Sequence, residues 1–356
     1  MSHGYLLLMA ALTFASMVTA HAETEQTLIA NQYAKDCPHN HGILIANALT
    51  GEFIEDLGRP HPSLGNTNEV KPYDLNRRIV ALWGGSKEFG QKGGIGIYNR
   101  ETRKWEWHWF IPDTWELGAK SAHSVCALPD GHFAIAQTGS IDGQGDGFVV
   151  IVNPEGNVVQ QVPLSSAHGV EWDGQRQAGF AAGSGAVKRY DYDPGAHRLT
   201  ETVTYAFPLG AEGGHDLRRR RTDNDYLVTT NKRAYVLRPE AAEKFEDLKL
   251  GGGIKCMDQR FDGLIEWNYM WDGLFRFIGE PNVAYKFCNH PYKGGRWLWP
   301  VGRKVYPEDT VAEDTVAPAA VGPGNLTPTN PTRELAVGTA GRLPEIFTVF
   351  TDLPVS

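Results

Sequence analysis

Short apolar runs alternate with clusters of turn-forming residues along the middle of the chain. Ile43-Leu44-Ile45-Ala46 leads into Asn47-Ala48-Leu49-Thr50-Gly51, and Ile95-Gly96-Ile97-Tyr98 into Asn99-Arg100-Glu101-Thr102. Phe148-Val149-Val150-Ile151-Val152 leads into Asn153-Pro154-Glu155-Gly156, and Val187-Lys188-Arg189-Tyr190 into Asp191-Tyr192-Asp193-Pro194-Gly195. Each reads as a strand, a tight turn and a returning strand.

These hairpins are part of a longer repeat. Ser121-Ala122-His123-Ser124-Val125 runs into Cys126-Ala127-Leu128-Pro129-Asp130-Gly131, and Ser166-Ala167-His168-Gly169-Val170 into Glu171-Trp172-Asp173-Gly174. Gly213-Gly214-His215-Asp216-Leu217 and Gly253-Ile254-Lys255-Cys256-Met257 open two further units. The steps are 45 residues from His123 to His168, 47 from His168 to His215 and 40 from His215 to Lys255. A period of about 40–50 residues with about four strands per unit marks a β-propeller. The expected fold is therefore all-β, a single propeller domain over residues 23–356. Five units are clear from Thr27 onward, and Gly252 to Phe287 makes a sixth. A seventh near Arg296–Val301, completed by the C-terminus, gives seven blades, with six as the alternative. Residues 307–341, rich in Pro, Thr, Ala and Gly, read as a long loop.

In a propeller the first strand of each blade lines the channel, and a residue just before it sits at the rim. His123, His168, His215 and Lys255 share that register and are expected to converge on one mouth. The second strand of each blade returns to the same face. Its last residues, among them Trp83, Gln137, Asn231 and Trp267, form the next layer of candidates for substrate binding. Arg296, after Gly294-Gly295, is a candidate partner for a substrate carboxylate. The run Arg218-Arg219-Arg220-Arg221 falls after a first strand and reads as a solvated turn on the opposite face.

Composition narrows the setting. The 40 Gly and 10 Trp suit many short strands and tight turns, and a net charge of −8 argues against a nucleic-acid partner. Residues 1–22 read as a signal peptide ending at Ala20-His21-Ala22, so a secreted, membrane-free and monomeric protein is expected. No later segment approaches a membrane span in length. Cys37, Cys126, Cys256 and Cys288 carry no metal-type spacing. Cys126 and Cys256 lie in apolar runs and read as buried free thiols. Asn325-Leu326-Thr327 is a glycosylation sequon.

Two chemistries suit a histidine-lined mouth. His123, His168 and His215 could hold a divalent metal, calcium or manganese, with open positions for substrate. Alternatively His123 and His168 act directly as acid and base, with His215, Lys255 and Arg296 binding substrate. Cleavage beside a 4-linked uronic acid by β-elimination needs a cation on the carboxylate, a base for the C5 proton and an acid for the departing O4. The rim offers these groups and no facing pair of carboxylates, which glycoside hydrolysis would need.

With these rim histidines the chain resembles the β-propeller polysaccharide lyases, including the L-rhamnose-α-1,4-D-glucuronate lyases that act on arabinogalactan of the gum-arabic type. The resemblance spans about Thr27 to Val301 and lies in the layout rather than in a motif. It implies seven blades, an acidic polysaccharide substrate, His123 and His168 as acid/base residues and Arg296 as carboxylate partner. Lys255 stands where a fourth histidine would be expected, which weakens a four-ligand metal site. A metal-dependent lactonase-type hydrolase is the alternative, although such sites favour Glu, Asn and Asp at inner-strand positions. A carbohydrate-binding propeller without activity is the third reading.

Overall fold

Burial along the strands grades from inside to outside. The strands Arg78–Trp83, Phe133–Gln137, Ala178–Ala182 and Tyr226–Thr230 are buried almost throughout. Their apolar side chains therefore pack on both faces, and no polar alternation is needed. The strands Lys104–Phe110, Val158–Pro163 and Arg198–Ala206 alternate in burial or are largely exposed, as outer strands with one face to solvent should.

The computed structural model describes residues 26–31, 42–48, 50, 52–85, 90–112, 122–139, 147–260, 263–269, 274–277, 283–286 and 291–298. All of them belong to one compact unit, 1–321. The signal peptide, Cys37, Cys288, the loop 307–341 and the sequon lie outside the described residues.

Every described strand belongs to one of six four-stranded antiparallel sheets. The first contains β1 (Gln26–Asn31), β2 (Ile43–Asn47) and β3 (Phe53–Asp56). The second runs β4 (Thr67–Tyr73), β5 (Arg78–Trp83), β6 (Gly94–Asn99), β7 (Lys104–Phe110). The third runs β8 (Ala122–Ala127), β9 (Phe133–Gln137), β10 (Phe148–Val152), β11 (Val158–Pro163). The fourth runs β12 (Gly169–Asp173), β13 (Ala178–Ala182), β14 (Ala186–Asp193), β15 (Arg198–Ala206). The fifth runs β16 (Gly214–Arg219), β17 (Tyr226–Thr230), β18 (Ala234–Leu237), β19 (Phe245–Asp247). The sixth runs β20 (Ile254–Gln259), β21 (Ile265–Tyr269), β22 (Leu274–Phe277), β23 (Val283–Lys286).

The last strand, β24 (Pro291–Leu298), does not open a seventh blade. It pairs with β1 and supplies the missing inner strand of the first sheet. The inner strands β4, β8, β12, β16, β20 and β24 then neighbour one another in turn, and β24 meets β4 again. The described residues thus form a propeller of six sheets, the number given above as the alternative to seven. Pairing β24 with β1 gives the first sheet its inner strand and closes the ring of inner strands.

Apolar clusters fill the space between successive sheets. Val80, Leu82 and Ile95 meet Phe133, Ile135 and Val150 between the second and third, and Phe180 and Val187 meet Leu217, Tyr226 and Val228 between the fourth and fifth. Cys126 and Cys256 are buried free thiols, and burial pushes the Cys126 thiol up to about 12, which keeps it uncharged and inert.

The inner strands meet through charge. Lys71 on β4 donates to the Val170 carbonyl and to Ser124 Oγ (3.2 Å), and its ammonium lies 3.0 Å from Glu171 on β12. Glu171 accepts from Arg218 on β16 at 2.8 Å, and Arg218 Nε lies 3.5 Å from Asp258 on β20. Asp258 also takes both terminal nitrogens of Arg221, at 2.9 and 3.1 Å. Ser124 Oγ donates to Glu69 at 2.9 Å. Arg218, Arg219 and Arg221 are therefore buried, and the solvated-turn reading of 218–221 is corrected. Arg218 and Arg219 lie within β16, and Arg221 opens the turn that follows it. These guanidinium groups are held inside because carboxylates from neighbouring sheets compensate them.

A second buried carboxylate joins the fourth and fifth sheets on the face away from the rim. Asp173 takes Arg176 at 2.7 Å, lies 3.3 Å from Arg219 and accepts from the Tyr226 hydroxyl. Burial alone would raise its pKa, but Arg219, Tyr226 and Arg176 together hold it below the ordinary carboxylate range.

Two measurements test this interior. Glu171→Ala strands Lys71 and Arg218 and should lower the free energy of urea unfolding by about 3–5 kcal/mol. Lys188→Ala, which breaks a partly exposed pair with Glu201, should cost no more than about 1 kcal/mol. Because the Asp173 pKa is depressed by folding, its contribution is complete above the unfolded value near 3.9 and is lost as pH falls through the folded one. The stability deficit of Asp173→Asn should be full at pH 7 and shrink in unfolding curves taken below about pH 4.

Candidate functional site

The recurring register is a backbone device. On β8, Ala122 pairs with Gln137 and Ser124 with Ala136, so His123 is an extra residue in the ladder. Asn68 on β4, His215 on β16 and Lys255 on β20 are inserted in the same way. His168 N–H donates to the Ala182 carbonyl at 2.9 Å while Gly169 pairs with the same Ala182, so His168 holds the equivalent place before β12. On β24, Pro291 pairs with Asn31 and Lys293 with Ala30, which puts Tyr292 in that register. A bulge turns its extra residue away from the ladder and re-aims the side chain. Five bulges and the residue before β12 thus put Asn68, His123, His168, His215, Lys255 and Tyr292 in one register around the rim, the side chain of Tyr292 lying outside the described residues.

Four successive positions form a contiguous row. The rings of His123 and His168 have centroids 4.2 Å apart and are tilted by 33°. His168 and His215 meet edge to face at 5.2 Å. Lys255 Nζ lies 2.9 Å from His215 Nε2 and 3.1 Å from Nδ1. All four side chains are half-buried. Asn68 adjoins the row, donating to the Ala122 carbonyl beside His123 at 2.7 Å.

Two glycines permit this approach. A Cβ on Gly169 would lie 2.8 Å from the backbone nitrogen and Cβ of Leu217, so only glycine lets β12 come this close to β16. Gly213 has φ +64°, and a Cβ there would lie 2.2 Å from the Asn231 amide. Asn231 consequently reaches His215 Nε2 through its Oδ1. Nε2 is thus met both by that oxygen, which can only accept, and by the Lys255 ammonium, which can only donate, while Nδ1 also lies within reach of the ammonium. His168 Nδ1 donates to the Ser166 carbonyl at 2.9 Å, so its Nε2 is the basic nitrogen.

The remaining candidates fall elsewhere. Gln137 has no exposed surface and supports the rim from beneath, paired through its backbone with Ala122. Trp83 is fully buried and packs edge-on against Trp105 at 5.3 Å, so it is a core residue and not a pocket wall. Its position at the end of β5 faces inward because Gly96 leaves room for the indole. Trp267 is half-buried against Tyr269. Arg296 lies on β24 opposite Leu28, and its side chain lies outside the described residues.

His123, His168 and His215 do not bring ligand atoms together as a metal cluster. Among the described residues, the group whose ligand atoms all lie within 4.8 Å is Asp130, His132 and His197. It stands on the turns β8–β9 and β14–β15, at the face opposite the rim. Sequence reasoning missed it because its members come from non-equivalent turns of two units and share no repeat spacing.

No protein-family description matches the chain, and no curated protein matches it. Solved structures do. A structure from a nidogen/laminin complex matches with a TM-score of 0.53 at 10% identity, covering 76% of this chain and 97% of that one. A protein from Lactobacillus plantarum matches at 0.50 and 10%, covering 76% and 99%. A candidate 6-phosphogluconolactonase from Bacteroides fragilis matches at 0.48 and 11%, covering 76% and 97%. Identities this low show a shared fold alone.

The hydrogen-bond pattern at His215 is open to test. In nitrogen-15 NMR of the full chain, Asn231→Ala and Lys255→Ala should each shift the His215 ring-nitrogen resonances, because both side chains meet that ring. Ring-nitrogen shifts unchanged by both substitutions would contradict the arrangement.

Proposed function

We propose that the rim row is an acid–base site for a carboxylate-bearing sugar, and that the protein is an enzyme. The observation that supports this reading is the unbroken sequence His123, His168, His215 and Lys255, with ring centroids 4.2 and 5.2 Å apart and an ammonium 2.9 Å from the last ring. Such a row joins two proton-transfer groups to a cation. Glu69 and Glu171 on the inner strands are engaged in buried ion pairs, so the acid–base work falls to imidazoles.

In an elimination at a 4-linked uronate, His168 Nε2 takes the C5 proton and His123 protonates the departing O4. Lys255 neutralises the carboxylate; Arg296 lies four positions farther along β24 than the rim register, opposite Leu28. The C5–H and C4–O bonds break and a C4–C5 double bond forms, so the electrons balance without an oxidant. The Lys255–His215 pair favours a second reaction, hydrolysis of a sugar lactone. There an imidazole activates water, the ammonium stabilises the oxyanion, and the ring C–O bond opens to a carboxylate and a hydroxyl.

Incubation with uronate-bearing arabinogalactan and with an aldonolactone separates the readings. Ultraviolet absorbance of the conjugated product supports elimination, and acid release from the lactone without that absorbance supports hydrolysis. His123→Ala and His168→Ala should each lower the rate of elimination by about 10²–10⁴-fold with the circular dichroism unchanged. Saturable sugar binding with neither product would identify a binding propeller, and the absence of both binding and turnover would overturn the proposal.

A further inference from the structure

On the face opposite the rim, the third and fourth sheets are joined by polar groups. Asp130 lies in the β8–β9 turn and His132 at its end, while His197 lies in the β14–β15 turn. Asp130 Oδ1 is 3.2 Å from His132 Nδ1, and Oδ2 is 2.9 Å from His197 Nδ1. The imidazoles stack with centroids 4.2 Å apart and planes 19° from parallel, so both Nδ1 atoms face the same carboxylate. The Tyr192 hydroxyl donates to Asp130 Oδ2 at 2.6 Å, and the His132 backbone N–H donates to Oδ1 at 3.2 Å. These two bonds fix the carboxylate from outside the triad, as the outer partners of metal-ligating carboxylates do.

We propose that Asp130, His132 and His197 form a transition-metal site that clamps these two sheets together. Two ligands bound at about 2.0–2.1 Å around a tetrahedral ion stand about 3.3 Å apart, close to the separations seen here. Two imidazoles and one carboxylate suit a zinc-like ion rather than calcium, which takes oxygen ligands. The side chain of His197 is 42% exposed and that of His132 only 8%, so one ligand opens to solvent on a rigid base. That leaves an entry path and a fourth position for water. Each Nδ1 lone pair lies in its ring plane, so binding requires the exposed His197 ring to turn out of the stack until both lone pairs converge on the ion, with the ring protons on Nε2. The site is separate from the acid–base row and does not depend on it.

The test uses the full untagged chain carrying His123→Ala, His168→Ala and His215→Ala, which removes the rim imidazoles. Cobalt(II) should give one saturable visible spectrum per chain, displaced by zinc, and zinc should raise the melting temperature. Adding His197→Gln on the exposed turn should weaken binding at least tenfold and abolish the thermal shift. Copper(II) bound to the same rim variant, with all three proposed ligands intact, should show two imidazole nitrogens by electron spin-echo spectroscopy, a readout independent of how His197→Gln folds. Unsaturable binding up to millimolar metal, binding unchanged by His197→Gln, or fewer than two imidazoles on copper would overturn the site. A hydrogen-bonded His–Asp–His staple would then remain.

Discussion

Six inner strands converge on one axis, and their facing surfaces cannot all be closed by apolar packing. Charges of alternating sign fill the gap, running Glu69, Lys71, Glu171, Arg218, Asp258 and Arg221. Each ion is buried and each meets a counter-ion from another position on the axis, so the set is neutral. Lys71 is the longest link. It passes Ser124 on β8 to reach Glu171 and the Val170 carbonyl on β12, and so fixes three inner strands at once. A buried ion pair of this kind contributes less to net stability than to uniqueness, because a shifted strand would leave a charge without its partner. Register along the inner strands is thereby set, and the rim inherits it.

That dependence explains why the rim was legible in the sequence. A bulge costs a ladder position and needs a fixed partner strand, so the residue it inserts recurs at the spacing of the repeat itself. His123, His168, His215 and Lys255 could be aligned by counting because the same local geometry is built four times. The hairpins around Asn153 and Asp193 were equally legible, since tight turns declare themselves within a few residues.

What could not be read was non-local. Residues 291–298 have no local feature that assigns them to β1, more than 260 positions earlier, so the blade count read as seven. The arginines at 218–221 look like a solvated run until Glu171, Asp173 and Asp258 arrive from other sheets. Trp83 sits at a strand end, where a rim residue was expected, yet the cavity that takes it is made by the absence of a side chain at Gly96. In each case the missing information was the identity of a partner, not the propensity of the residue.

The same backbone carries different side chains at each bulge, and this separates the requirements of the fold from those of the site. Asn68 uses the position to tie β4 to the Ala122 carbonyl, a purely structural bond. The next four positions place three imidazoles and an ammonium there, where their hydrogen bonds run to Ser166, Asn231 and one another. Among the described side chains the row therefore spans four neighbouring positions, and the adjoining one, Asn68, is tied to the β8 backbone. The turns on the opposite face are free of the bulge constraint and could acquire Asp130, His132 and His197 independently of the row.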